Sequence, residues 1–138
     1  MEINDIILSD EALNVIDNGT WVDEIEGAPG LALLVSGLSA KDAQKSIEDK
    51  QAKARMKNRG KALTTEQLAR CTRETLAEVV LKGWRGLNDG GKPVEYSPEL
   101  AFKWITSRNG ERFANLVLQA AQRVDAQAND FVGEASKN

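Results

Sequence analysis

A chain of 138 residues with 41% hydrophobic and 28% charged content matches an ordinary globular domain and not a disordered segment. It has no histidine and one cysteine, which excludes an internal disulfide, histidine metal ligation and the thiolate zinc sites. The net charge of −3 hides a split. The first forty residues carry Glu2, Asp5, Asp10, Glu11, Asp17, Asp23, Glu24 and Glu26 with no lysine or arginine, whereas residues 50–61 carry Lys50, Lys53, Arg55, Lys57, Arg59 and Lys61 with no acid.

The opening Met1-Glu2-Ile3-Asn4-Asp5 lacks the basic region and apolar run of a secretion signal, and no stretch approaches the ~20 apolar residues of a membrane span. A cytoplasmic protein with no membrane partner is expected. Ser9 reads as the N-cap of a short helix that stops at Asn18-Gly19. Thr20 to Ile25 and Leu31 to Val35 read as two strands joined by Glu26-Gly27-Ala28-Pro29-Gly30, with Trp21, Asp23 and Ile25 on one face. A lone hairpin is marginal in water, so a third strand or a helix should cover it.

Ser39-Ala40-Lys41-Asp42 resembles a capping box and opens a helix with a thin apolar stripe of Ala43, Ile47 and Ala54. That helix should project, and Gly60 should end it. Thr64 and Gln67 form a second capping box, from which Leu68, Cys71, Leu76, Val79 and Val80 recur at helical spacing up to a stop at Gly83. Cys71 inside this pattern reads as a small buried thiol. A connection over residues 84–96 holds the turn Asn88-Asp89-Gly90-Gly91. Ser97-Pro98-Glu99 then starts a short helix with Leu100, Ala101, Trp104 and Ile105 on one face. After Asn109-Gly110 a last helix carries Phe113, Leu116, Val117, Ala120, Val124 and Phe131. The expected fold is therefore α+β and predominantly α-helical. It comprises one domain over residues 1–132, with a hairpin region (18–38), a helical region of about four helices (39–132) and a flexible tail (133–138).

The sequence carries no catalytic constellation that stands out. Asp23 and Glu24 alternate across a strand, and no GKS or GKT follows the glycines at 83, 86, 90 and 91. No catalysis and no cofactor are expected. The basic run over 50–61 lacks aromatic residues for base stacking in a chain that is acidic overall, so a solvated face or a protein partner explains it better than nucleic acid. Trp21, Trp84, Tyr96 and Trp104 are the candidate hot spots wherever they are exposed, and core anchors otherwise. Trp104 sits on a clean apolar face that favours the core, while Trp84 fits either role.

Val80-Leu81-Lys82-Gly83-Trp84-Arg85-Gly86-Leu87 and the following Asn88-Asp89-Gly90-Gly91-Lys92-Pro93-Val94-Glu95-Tyr96-Ser97-Pro98-Glu99 resemble a signature of phage tail assembly chaperones. Asn18-Gly19-Thr20-Trp21-Val22 and Leu34-Val35-Ser36-Gly37-Leu38-Ser39 are similar to the opening hairpin of that family. The doubled Gly90-Gly91 and the Glu95 before Tyr96 depart from its pattern. The resemblance implies a non-enzymatic chaperone that binds and solubilises the tape measure protein, helps recruit tail tube protein, self-associates as a homo-oligomer and is absent from the finished virion. It also implies a second, frameshifted product in many members. On this reading Trp84, Leu87, Tyr96, Lys53, Arg55 and Lys57 are the candidate protein-binding residues. The competing readings are a structural connector or tail-completion protein, and a small nucleic-acid-binding regulator using residues 50–61.

Overall fold

Ser9 caps the first helix as its position predicts, its hydroxyl accepting from the Ala12 amide at 3.1 Å. In the computed structural model, which describes the backbone of residues 1–136 and side chains as far as Val132, α1 spans Asp10–Asn18 and buries Ala12 and Ile16. Gly19 ends it at φ 92°, with the Val35 carbonyl so close that a side chain there would press on β2.

Strands β1 (Thr20–Val22) and β2 (Ala32–Val35) form the expected antiparallel hairpin, in register Trp21↔Leu34 and Val22↔Leu33. The first strand is shorter than expected. Glu24 adopts φ 50°, which breaks the two-residue alternation. Ile25 consequently turns inward to 6% exposure, while Trp21 stays outside at 38%.

Helix α2 (Lys41–Lys57) begins without the expected capping box: Ala40 is its N-cap, with no side-chain capping bond. Ser39 is taken by a tertiary contact instead, its hydroxyl donating to Asp125 Oδ1 at 2.6 Å. Only Ala43 of α2 is buried, in line with a projecting helix. Its middle is tied to α3 (Thr65–Thr75) and the turn that follows by polar contacts, Ser46 to Thr75 at 2.8 Å and Lys50 to Glu74 and Glu78 at 3.4 and 3.0 Å. Burial works against the Lys50 charge, but the bond to Glu78 and the charges of Glu78 and Glu74 outweigh it and raise the ammonium above its ordinary value. The Thr64–Gln67 capping box is present in both directions, and Cys71 is buried.

The expectation that this helix runs to Gly83 is corrected. It ends at Thr75, passes through a π-helical turn over Leu76–Val80, and leaves as strand β3 (Leu81–Arg85). β3 pairs antiparallel with β2 (Leu34↔Gly83, Leu33↔Trp84), giving the order β1-β2-β3. The helical period is real as far as Val80, where Leu76, Ala77 and Val80 all face the core. Beyond it, the free edge of β2 and the burial of Leu81 and Trp84 as strand residues outweigh local helix preference. Gly83 is thus a strand residue, not a helix stop.

The turn at 88–91 closes a two-residue hairpin between β4 (Asn88–Asp89) and β5 (Lys92–Pro93), with Gly90 and Gly91 both at positive φ as such turns require. Ser97 caps α4 (Pro98–Thr106) by accepting from the Leu100 amide at 3.2 Å. The single last helix expected is two, α5 (Glu111–Ala126) and α6 (Ala128–Ser136), broken at Gln127. The break lays α6 against α1 and brings Phe131 into the core. Five helices therefore follow the hairpin among the described residues, and the fold is α+β and mostly helical. The tail expected at 133–138 begins inside α6 for the backbone of 133–136, while residues 137–138 lie outside the described residues.

One cluster of buried residues runs from Ala12 to Phe131, with Leu33, Leu76, Leu81, Ile105, Val117 and Val124 at its centre. α5 lies against β1 and β2, covering one face of the sheet.

Candidate protein-binding surface

The structure divides the candidate residues into two groups. Trp84, Leu87 and Tyr96 are brought together inside the fold. Trp84 is 5% exposed and stacks on Trp104 with ring centroids 5.2 Å apart, with Tyr96 and Phe113 edge-on at 5.0 and 5.8 Å. Its indole N–H donates to the Val94 carbonyl at 2.8 Å, and the Tyr96 hydroxyl donates to the Leu81 carbonyl at 3.2 Å. Burial, and then the charge of Glu99, push the Tyr96 hydroxyl above its ordinary pKa. Leu87 is half-buried against the same core. These residues hold the β4–β5 hairpin to the sheet and α4. Lys53, Arg55 and Lys57 lie elsewhere, on the exposed C-terminal half of α2.

Trp21 is the most exposed tryptophan. Of the four aromatic candidates it alone stands on the outer face of the sheet, opposite the face that α5 covers. The Arg85 guanidinium lies 4.3 Å above its ring centroid, a cation–π pair joining β1 to β3 across β2. Half-buried Leu34 lies between them in register with Trp21 and Gly83. A Cβ at Gly83 would touch the indole at 3.7 Å, so the bare backbone there gives the ring room to lie across the sheet.

Beside this platform a cleft of about 780 Å³ opens between the 23–32 connection and the end of β3, with Asp23, Glu24, Ile25, Leu31 and Ala32 along its walls and Arg85 shared with the platform. The connection is pinned from behind by α5: Arg123 donates to the Asp23 carbonyl at 2.6 Å and Arg112 to the Gly27 carbonyl at 3.0 Å. At the closed end Gly86 (φ 85°) packs so tightly on the Gly30 carbonyl that any side chain would collide with it. The arrangement offers an aromatic plate, a cation and a cleft of mixed polar and apolar lining, which suits binding. The alternation of Trp21 with Val22 was the available signal for this face. Arg85 was hidden because its segment reads as a connection after a helix stop at Gly83.

The family model described as YdaY prophage protein matches residues 38–138, well over half of the chain. The chain belongs to that family. No curated protein and no solved structure matches it. The YdaY-matched region contributes β3 and every helix from α2 onward, whereas α1, β1 and β2 precede it. The Trp21–Arg85 pair therefore joins a residue outside the YdaY-matched region to one within it. Among the described residues no helix is long and apolar enough to cross a membrane.

Proposed function

We propose that this prophage protein is a non-catalytic assembly chaperone, binding the tape measure protein of a long-tailed phage and keeping it in solution while tail tube subunits are recruited. The observation that carries the reading is the Trp21–Arg85 platform with Leu34 and the adjoining cleft. Tryptophan and arginine are among the residues that most often dominate protein–protein binding energy, and here they are pre-positioned on the outer sheet face, where Trp21 is partly exposed. An aliphatic stripe of a helical partner laid across this face would cover Trp21 and Leu34. The likeness of residues 80–99 to tail assembly chaperones supports this partner, and membership of a prophage family is consistent with it. On this reading the protein acts in the host cytoplasm and is left out of the virion.

The test is co-expression of the full chain with the tape measure protein of the same prophage, followed by affinity capture and a solubility assay. The tape measure protein should be soluble and retained by the native chain, and lost from the Trp21→Ala chain. Retention of nothing by the native chain would sink the proposal. Recovery of the chain from purified virions would replace it with a structural connector.

A further inference from the structure

Two exposed surfaces that carry apolar side chains have opposite charge. The first is the N-terminal segment with α1. Ile3, Ile6 and Ile7 are 71%, 66% and 59% exposed, followed by Leu8 and Leu13, and the same stretch holds Glu2, Asp5, Asp10, Glu11 and Asp17. A cleft of about 600 Å³ opens here, floored by Leu8, Leu13 and Ile16 and rimmed by Asp10 and Asp17, with Lys41 the one cation on its lining among the described residues. The second is the far end of α2. There Met56, 79% exposed, stands among Lys53, Arg55, Lys57, Arg59 and Lys61, all exposed.

That basic end is held rigidly. Asn58 and Gln67 exchange amide hydrogen bonds in both directions, at 2.7 and 2.9 Å, tying the end of α2 to the start of α3. Arg59 and Gly60 both take positive φ, and the Gly60 amide returns to the Arg55 carbonyl at 2.8 Å. A fixed shape loses less freedom on binding than a loose one.

We propose that the two surfaces bind each other between copies of this chain, head to tail. Met56 of one copy seats over the Leu8–Leu13–Ile16 cleft of the next, and its lysines and arginines face the acidic rim. Contact within one chain is excluded by α2 itself. The helix starts at the cleft with Lys41 and carries Lys57 about 24 Å away, at ~1.5 Å per residue. A nucleic acid would use the basic charges but leave Met56 unexplained, and it would have no aromatic residue there to stack on. Because donor and acceptor surfaces differ, the contact is heterologous and builds a ring or a filament. It does not involve the Trp21 platform, so it stands or falls separately from the proposed partner.

Light scattering on the full chain tests this. At low salt the mass should exceed the 15.1 kDa of one chain, and it should fall as added salt screens the contact. The tip variant Lys53→Glu/Arg55→Glu/Lys57→Glu and the cleft variant Asp10→Lys/Leu13→Lys alter exposed side chains only, and each alone should run as a single chain. Mixed together they should form a complex of two chains, because one intact tip then meets one intact cleft. A native chain of single-chain mass at low salt would overturn the proposal, as would variants that still assemble or a mixture that stays apart. So would a monomer that retains duplex DNA through the basic tip.

Discussion

The Trp84 indole N–H donates to the carbonyl of Val94, ten residues further along the chain, at 2.8 Å, and the same ring stacks on Trp104. One side chain thereby fixes the β4–β5 hairpin to the sheet and the sheet to α4. Trp84→Phe keeps most of the volume but loses the bond, leaving the Val94 carbonyl unpaired. It should lower unfolding free energy by about 1–3 kcal/mol, and Trp84→Ala by about 3–5 kcal/mol. Denaturant midpoints measure both. Capture of a partner by the folded Phe variant should be unchanged, since the ring is internal.

Trp21 predicts the opposite pattern. Its ring is 38% exposed and lies outside the core, so Trp21→Ala should cost about 1–2 kcal/mol of stability, less than Trp84→Ala. If the platform is the partner site, affinity should fall by about 2 kcal/mol or more, roughly thirtyfold. Arg85→Ala should follow in the same direction with a smaller loss. Titration of the partner by calorimetry, beside denaturation of each variant, separates the two effects. A Trp21→Ala chain that binds as well as the native one removes the platform from the site.

Local signals served well wherever a single residue type decides a single bond. Ser9, Thr64 and Ser97 cap helices because a short side-chain oxygen reaches back to an orphan amide, and this is readable three residues at a time. The Gly90-Gly91 turn is legible for the same reason. Tertiary competition was not legible. Ser39 has the look of a cap but is claimed by Asp125, 86 residues away. The helical pattern up to Val80 makes Gly83 read as a helix stop, but Leu81 and Gly83 are claimed by the edge of β2. The candidate site suffers most from that second misreading. With residues up to Gly83 read as helix and 84–96 as a connection, no strand pairing leads from Arg85 to Trp21, and Trp84 falls just past a helix end, where it fits either core or surface.

Asp125 is the most connected of these long-range partners. Its carboxylate accepts from the Leu38 amide at 3.0 Å, the Ser39 amide at 3.3 Å and the Ser39 hydroxyl, fixing the turn that launches α2 from α5. Gly37 lies so close beneath it that a side chain there would run into the carboxylate. Asp125→Ala should cost about 1.5–3 kcal/mol, the range for hydrogen bonds to a charged group. Asp125→Asn, which keeps one acceptor, should cost less. The Leu38 and Ser39 amides should exchange hydrogen faster in both variants while those of β2 stay protected. Uniformly faster exchange would mean that the carboxylate supports the whole fold and not this turn.

Glu74 gives the fold a pH dependence with a definite sign. Burial works against its charge, but the bond from Arg70 at 3.1 Å and the charge of Lys50 outweigh it and hold the carboxyl below its ordinary value of 4.5. A carboxyl lowered on folding stabilises the native state above its unfolded pKa, and that contribution is lost as pH falls through the lower folded value. Arg70 is 78% exposed and its share is screened, so the Lys50 contact should supply most of the effect, about 0.5–1 kcal/mol near neutrality. Glu74→Gln should therefore lower stability near neutral pH and flatten the acid limb of the stability curve below about pH 4.5. Denaturant midpoints taken stepwise from neutral to acid for both chains provide the comparison. The curves should converge at the acid end, where native Glu74 is also protonated. A constant gap at every pH would mean that the Gln variant is destabilised by altered packing between α2 and α3, not by loss of the charge.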